Sequence, residues 1–258
     1  MLTELLPIAP EILLLLVLAA FAAGFIDSIA GGGGLLALPA ILLAGAPPVT
    51  ALATNKLQGM FGTASAAIHY ARAGQVDLKR QLGPALIAAI AAGLGALLAS
   101  RLPAEAIRAA LPVLLIAVAL YFGLRRGLSD DDRAERIRPE TFNATAVPGL
   151  AFYDGVLGPG TGSFYMLAFV GLRGHGLLKA TAHTKLLNFA SNIGSMAVFA
   201  LVASPWWLVG LCMGAAQFAG AQLGSRLAVR IGARLIRPLL VTVSVALALR
   251  LLWQAWFA

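Results

Sequence analysis

Apolar runs follow one another along this chain with scarcely a charge inside them, at residues 11–27, 35–45, 49–71, 82–100 and 104–124, then at 141–157, 162–172, 177–203, 206–228 and 232–257. A helix needs about 20 apolar residues to cross the hydrocarbon of a bilayer, so this succession is the pattern of a polytopic, all-helical membrane protein. Composition agrees: 60% of the residues are hydrophobic and 12% charged, against about 45–50% and about 25% in soluble domains. A soluble enzyme is excluded. The net charge of +8 sits almost entirely in short loops, where it orients helices in the membrane, and no nucleic-acid partner is called for. The single cysteine, Cys212, rules out an intramolecular disulfide. The first apolar run has no basic segment before it and leads into a glycine cluster, so it is expected to be retained as structure, not cleaved as a signal peptide.

The two sets of runs repeat one another. Phe25-Ile26-Asp27 and Gly31 to Gly34 correspond to Phe152-Tyr153-Asp154 and Gly158-Pro159-Gly160-Thr161-Gly162. Ala53-Thr54-Asn55-Lys56-Leu57 corresponds to Ala182-His183-Thr184-Lys185-Leu186, and Ile107-Arg108 to Ile236-Arg237, at an offset of about 129 residues. The expected organisation is a first transmembrane repeat over 1–124, a cytoplasmic linker over 125–140 that reads as solvated, and a second repeat over 141–258. Pairing each short run with the one before it as a broken-helix hairpin leaves three further crossings per half, and the repeats are then inverted. One side of the membrane collects Arg72, Lys79, Arg80, the linker arginines, Arg173, Lys179, Arg226, Arg230, Arg234 and Arg237; the other has little beyond Arg101 and Arg108. By the positive-inside rule both termini lie outside.

The chemistry gathers at the breaks. Glycine costs about 1 kcal/mol each in a helix relative to alanine, so Gly31, Gly32, Gly33 and Gly34 together interrupt one. Gly158, Gly160, Thr161 and Gly162 interrupt the second half in the matching place. The helix resuming after each break turns its positive N-terminal end toward the interruption, and paired breaks in an inverted repeat point to a central anion site. Packing alone would need only GxxxG spacing, which Gly210/Gly214 and Gly220/Gly224 provide, with Gly93 and Gly95 as close-packing positions in the first half.

Lys56 and Lys185 lie inside apolar runs, where a lysine costs about 2.5–3.5 kcal/mol on insertion scales. Asn188 and Asn192 share a helical face with Lys185, flanked by Thr184, Ser191 and Ser195; Asn55 precedes Lys56, which shares its face with Gly59 and Thr63. The competing reading is a lysine snorkelling to the interface. The inverted arrangement instead sets Lys56 toward the outer face and Lys185 toward the inner one, a cation on each approach. Asp27 and Asp154, just before the breaks, read as helix caps or as carriers of a coupling proton. His69 and His183 read as solvated residues near helix ends, and Trp206, Trp207, Trp253 and Trp256 as an interfacial belt.

No HExxH, GxSxG or Cys/His ligand spacing occurs, and the phosphate-loop-like glycines from Gly155 to Gly160 lack the required lysine. No metal or cofactor is expected. An intramembrane enzyme would need one constellation, not two mirrored ones, and a non-transporting scaffold would need neither lysines nor broken helices at depth.

The pattern Gly24-Phe25-Ile26-Asp27, Gly31 to Gly34, Pro39 and Ala53-Thr54-Asn55-Lys56-Leu57-Gln58, with its degenerate second copy, resembles the sulfite exporter TauE/SafE family. The resemblance covers nearly the whole chain. It implies a secondary transporter in a bacterial inner membrane, exporting sulfite, a sulfonate or another sulfur-containing anion, with protons or another ion as the coupling partner.

The charge asymmetry yields one topological expectation. A cysteine replacing Ser129 should be protected from an impermeant thiol reagent in intact cells and become labelled after permeabilisation.

Overall fold

A computed structural model describes residues 7–107, 113, 130–232 and 234. All regular elements among them are α-helices: α1 Pro10–Ala30, α2 Gly33–Leu43, α3 Pro48–Arg72, α4 Leu82–Arg101, α5 Pro139–Val156, α6 Thr161–Leu172, α7 Leu177–Val202 and α8 Trp207–Ile231. Of these, α1, α4 and α7 are long and apolar enough to cross a membrane, while α2 and α6 are short apolar helices. The runs 104–124 and 232–257 fall mainly outside the described residues, as do Arg125, Arg126, Ser129, Arg237, Trp253, Trp256 and the Ile107-Arg108/Ile236-Arg237 correspondence at Arg108, Ile236 and Arg237.

Helix starts follow elementary rules. Pro10, Pro48 and Pro139 open α1, α3 and α5, where a missing N–H costs nothing. Gly31 and Gly32 end α1 and launch α2 with φ of 77° and 87°; Gly158 and Gly160 do the same between α5 and α6 with φ of 89° and 83°. L side chains rarely adopt these values.

The helices pack crosswise. α8 lies against α1 and α3 of the first half, α4 lies against α5 and α7 of the second, and α3 meets α7 between them. The expected close-packing glycines are where these contacts occur. Gly220 and Gly224 of α8 abut the carbonyls of Phe21 and Phe25, Gly95 of α4 abuts that of Phe152, Gly93 faces Gly194, and Gly210 and Gly214 seat Leu57 and Phe61.

Two apolar clusters result. One joins Ile29 and Leu35 with Tyr70, Ala85, Phe142, Tyr165, Phe169 and Leu177. The other joins Leu16 and Ala20 with Leu38, Ile41, Leu52, Ala99, Phe199 and Met213. The polar residues of the breaks fall between them along the helices.

The linker does more than connect the halves. Its residues 130–136 are exposed, yet they dock on the α6–α7 corner. Arg133 and Arg136 donate backbone N–H groups to Gly174 (2.6 Å) and Leu172 (3.0 Å). Asp132 accepts from Gly176 N–H (2.7 Å) and pairs with Lys179 (2.7 Å), and Glu135 takes both arms of Arg173 (2.8 and 3.0 Å). The Lys179 and Gly176 hydrogen bonds hold the Asp132 carboxyl below its ordinary range. The corner has its own acceptors and donors to satisfy, which is why an otherwise hydrophilic segment becomes ordered there. His183 also differs from the solvated reading. It packs against Phe169 and His175 (centroids 5.4 and 4.7 Å) and contacts Gln81, because α7 turns it inward over the corner.

A matched glycine pair tests the crossing at α4/α5. A methyl on Gly155 would overlap the Ala92 carbonyl, whereas Gly149 of the same helix has open space around it. Gly155→Ala should lower stability by about 1–3 kcal/mol and Gly149→Ala should leave it equal or slightly raised, read as thermal midpoints of purified protein in detergent.

Candidate functional site

At the two breaks the chain crosses itself. Gly31 packs so closely on Gly162 and Ser163 that a Cβ there would lie 2.5 Å from the Ser163 nitrogen, and the Ser163 hydroxyl donates to Ala30 O (2.9 Å). Gly34 lies opposite Pro159. The glycines are thus required first by backbone meeting backbone, and the cavity forms beside that crossing.

The buried charges pair across the halves. Lys56 of α3 donates to Asp154 of α5 at 2.6 Å, and Lys185 of α7 donates to Asp27 of α1 at 3.0 Å. Both lysines are buried, 1% and 0% exposed, so neither snorkels, and each is held by a carboxylate of the other half. The reason is electrostatic: a lone ammonium in this interior loses its hydration, and the nearest carboxylate restores a partner.

Each aspartate does more than pair. Asp27 also accepts the Gly33 N–H (3.1 Å), capping α2, so the capping reading holds together with the ion pair. Asp154 accepts the Ser191 hydroxyl on its other oxygen. Gly158 leaves room for the Lys56 ammonium, which would sit 2.9 Å from a Cβ there.

A cavity of about 40 Å³ opens among Asp27, Gly32, Gly34, Asn55, Lys56, Gly59, Thr63, Asp154, Gly158, Gly160, Thr161, Gly162, Asn188, Asn192 and Gln217. This is room for roughly three waters, or one compact ion. Most of the residues singled out from sequence therefore come together. Four stand just outside the lining. Gly31 is taken up by the crossing, and Gly33 faces Ala23 and Asp27, so a methyl there would strike α1 and not the cavity. Thr184 is buried, its hydroxyl without a partner among the described residues, and Lys185 reaches the site through Asp27.

The lining is polar and ordered from within. Gln58 donates to Asn55 (2.9 Å), Thr63 to Gly59 O (2.9 Å) and Thr161 to Gly158 O (2.7 Å). Sequence reasoning missed Gln217, which lies in the apolar α8, and it missed the pairing of lysines with aspartates. The only sequence signal for the latter was that each half holds one of each.

A helical membrane protein whose two interrupted helices meet at an ion-paired polar cavity defines a class, the membrane transporters. Within that class the chain belongs to the sulfite exporter TauE/SafE family, whose model matches residues 16–251. It is 58% identical over 245 residues to the probable membrane transporter protein ORF9 of Sinorhizobium sp, covering 95% of this chain and 94% of that one. It is 45% identical over 248 residues to the probable membrane transporter protein YfcA of Escherichia coli (strain K12), covering 96% and 92%. A probable membrane transporter protein of Haemophilus influenzae is 41% identical over 248 residues, covering 96% and 97%. No solved structure matches the chain.

Breaking one buried pair should cost far more than replacing it. Asp154→Asn should lower stability by about 3–5 kcal/mol, because Lys56 keeps its charge without a counter-charge; Lys56→Met with Asp154→Leu should recover most of the loss. Thermal midpoints of wild type, Lys56→Met, Asp154→Leu and the double variant close the cycle, with Asp154→Asn measured beside them.

Proposed function

We propose that the protein is a secondary transporter exporting a small anion, sulfite, a sulfonate or another organosulfur anion, across a bacterial inner membrane by alternating access. The observation that carries this reading is the exchange of ion pairs around the cavity, Lys56 with Asp154 and Lys185 with Asp27. The first turns of α2 and α6 supply Gly34, Thr161 and Gly162 to the lining, so two helix N-termini favour negative charge there.

An oxyanion entering the cavity competes with a carboxylate for its lysine. A carboxylate deprived of that partner is left with an uncompensated charge in a poorly hydrated site, which a coupling proton would neutralise. Anion binding is thereby coupled to protonation of Asp27 or Asp154, and release of the anion restores the pair. The volume of about 40 Å³ suits one compact anion better than a long one.

Two inverted repeats joined by a cytoplasmic linker, with both termini outside, complete the reading. The distribution of apolar residues supports it: the ends of α1 and α2 away from the break contribute Leu16 and Ile41 to one cluster, while the matching ends of α5 and α6 contribute Phe142 and Phe169 to the other. Under this reading the two hairpins enter from opposite faces and rocking of one half on the other exposes the cavity alternately.

The test is ligand-induced stabilisation of purified protein by sulfite, thiosulfate, sulfoacetate, taurine and simple dicarboxylates. Stabilisation by at least one compact sulfur anion is expected, lost in Lys185→Ala with Asp27→Asn and retained in Lys179→Ala, whose lysine pairs with the linker. Equal behaviour of the two would remove the paired charges from the site, and no response in wild type would refute the anion reading.

A further inference from the structure

The two ion pairs that cross the halves are not equivalent. Both members of the Lys56–Asp154 pair line the cavity, whereas of the Lys185–Asp27 pair only Asp27 does. An anion in the cavity therefore meets Lys56 first, and Asp154 is the carboxylate it displaces.

The second oxygen of each carboxylate sets the pairs further apart. Asp27 Oδ1 accepts the Gly33 N–H (3.1 Å) and its Oδ2 accepts from the Lys185 ammonium (3.0 Å). Both partners are donors without a lone pair to offer, so neither could accept a hydrogen bond from a protonated Asp27. Asp154 Oδ1 accepts from Lys56, but its Oδ2 accepts from the Ser191 hydroxyl, a group that can donate and accept.

That hydroxyl has a second acceptor within reach, the Asn188 carbonyl oxygen of its own helix at 3.2 Å. One hydrogen with two acceptors gives Ser191 two complete arrangements. With Asp154 ionised, the hydroxyl donates to Oδ2; with a proton on Oδ2, it accepts from Asp154 and turns its own hydrogen to Asn188 O. At the offset of about 129 residues that relates Lys56 to Lys185, Ser191 corresponds to Gly62, so the first half carries no hydroxyl at this position.

The other ionisable groups around Asp154 have their own partners. Tyr165 of α6 donates to Val147 O, and Tyr153 of α5 to Pro159 O. α7 brings Lys185, held by Asp27, while its Lys179 pairs with Asp132 of the linker and its His183 packs on Phe169 and His175. α4 carries no ionisable residue before Arg101 at its end, and Asp27 of α1 lines the same cavity.

Building on the anion reading, we infer that Asp154 alone carries the coupling proton, that Ser191 is the positioning residue that keeps Asp154 hydrogen-bonded in both protonation states, and that Lys185 and Asp27 stay paired throughout. When the anion arrives, the Lys56 ammonium passes from Asp154 Oδ1 to an anion oxygen, a proton from water enters at Oδ2, and Ser191 turns to Asn188 O. When the anion leaves, that proton returns to water and Lys56 to Asp154. The Asp27 carboxylate, bonded to the backbone at the first residue of α2, holds the start of that helix at the cavity while the other pair exchanges.

Infrared difference spectra of purified full-length protein, taken on adding sulfite and, separately, methanesulfonate at neutral pH, read the proton as the C=O band of a newly formed carboxylic acid. Thermal midpoints with and without each anion check folding and binding. Wild type should gain one acid band with each anion that binds. Asp154→Asn, in which Lys56 is free to take the anion, should bind and gain no band. Ser191→Ala should still bind, with the band shifted or lost, because the acid has lost its acceptor. A band that persists in Asp154→Asn, a band that Ser191→Ala leaves unmoved, or binding by wild type without any band would overturn the inference and leave the anion site standing. Binding of neither anion by wild type would overturn the anion reading as well. Where Asp154→Asn fails to fold or bind, Ser191→Ala alone decides.

Discussion

The structure depends on two buried ion pairs that each half makes with the other. A lysine or an aspartate alone in such an interior would be charged at heavy cost or neutralised, and pairing across the halves lets all four remain. Neither half can satisfy its own charges, because the partners lie on α1 with α7 and on α3 with α5. The pairs therefore do for the halves what a hydrophobic face does for soluble domains, with the added requirement of geometry: an ammonium at 2.6 or 3.0 Å tolerates little displacement. The two halves are held in register at the level of the cavity, and movement of one against the other must act on these contacts first.

The glycine clusters follow from that constraint. For Lys56 to reach Asp154, the chain at Gly158 must carry no side chain, and for the two breaks to cross, Gly31 and Gly162 must let backbone approach backbone. The left-handed values at Gly32 and Gly160 then restart the helices. Interrupted helices at depth leave backbone groups that lipid cannot satisfy, and here the Asp27 carboxylate and protein from the other half surround them. Unusual backbone and unusual charge belong to one construction.

Much of this was legible in the sequence because bilayer proteins tolerate so few departures from apolar helix. Four adjacent glycines, or a lysine among leucines and alanines, are visible against that background, and their recurrence at one offset exposes the repeat. The pairing was not legible, since Lys56 and Asp154 lie 98 residues apart and Lys185 and Asp27 lie 158 apart, and only the crossing of the breaks brings them together. Gln217 escaped notice for a different reason. It lies in α8 between the packing glycines Gly214 and Gly220, and it reaches the lining because α8 crosses α1 closely at Gly24 and its side chain packs over Gly62 of α3. The docked linker escaped too, because exposed Asp132 and Glu135 find partners only once the α6–α7 corner offers Gly176, Lys179 and Arg173.

Charge neutrality gives the proposed transport cycle its direction of reasoning. Two ammonium groups and two carboxylates leave the cavity formally neutral. An anion arriving alone would make it negative in surroundings that screen charge poorly, whereas an anion together with a proton on a displaced carboxylate leaves the total unchanged. The carboxylate that gives up its lysine also gives up its hold on the opposite half. Under the proposed reading, one exchange of partners therefore loosens the contact between the repeats and keeps the site neutral, so occupancy and mobility rise together. Lysines alone would bind anions more tightly, but without the aspartates nothing would release the anion or couple its binding to the joint between the halves.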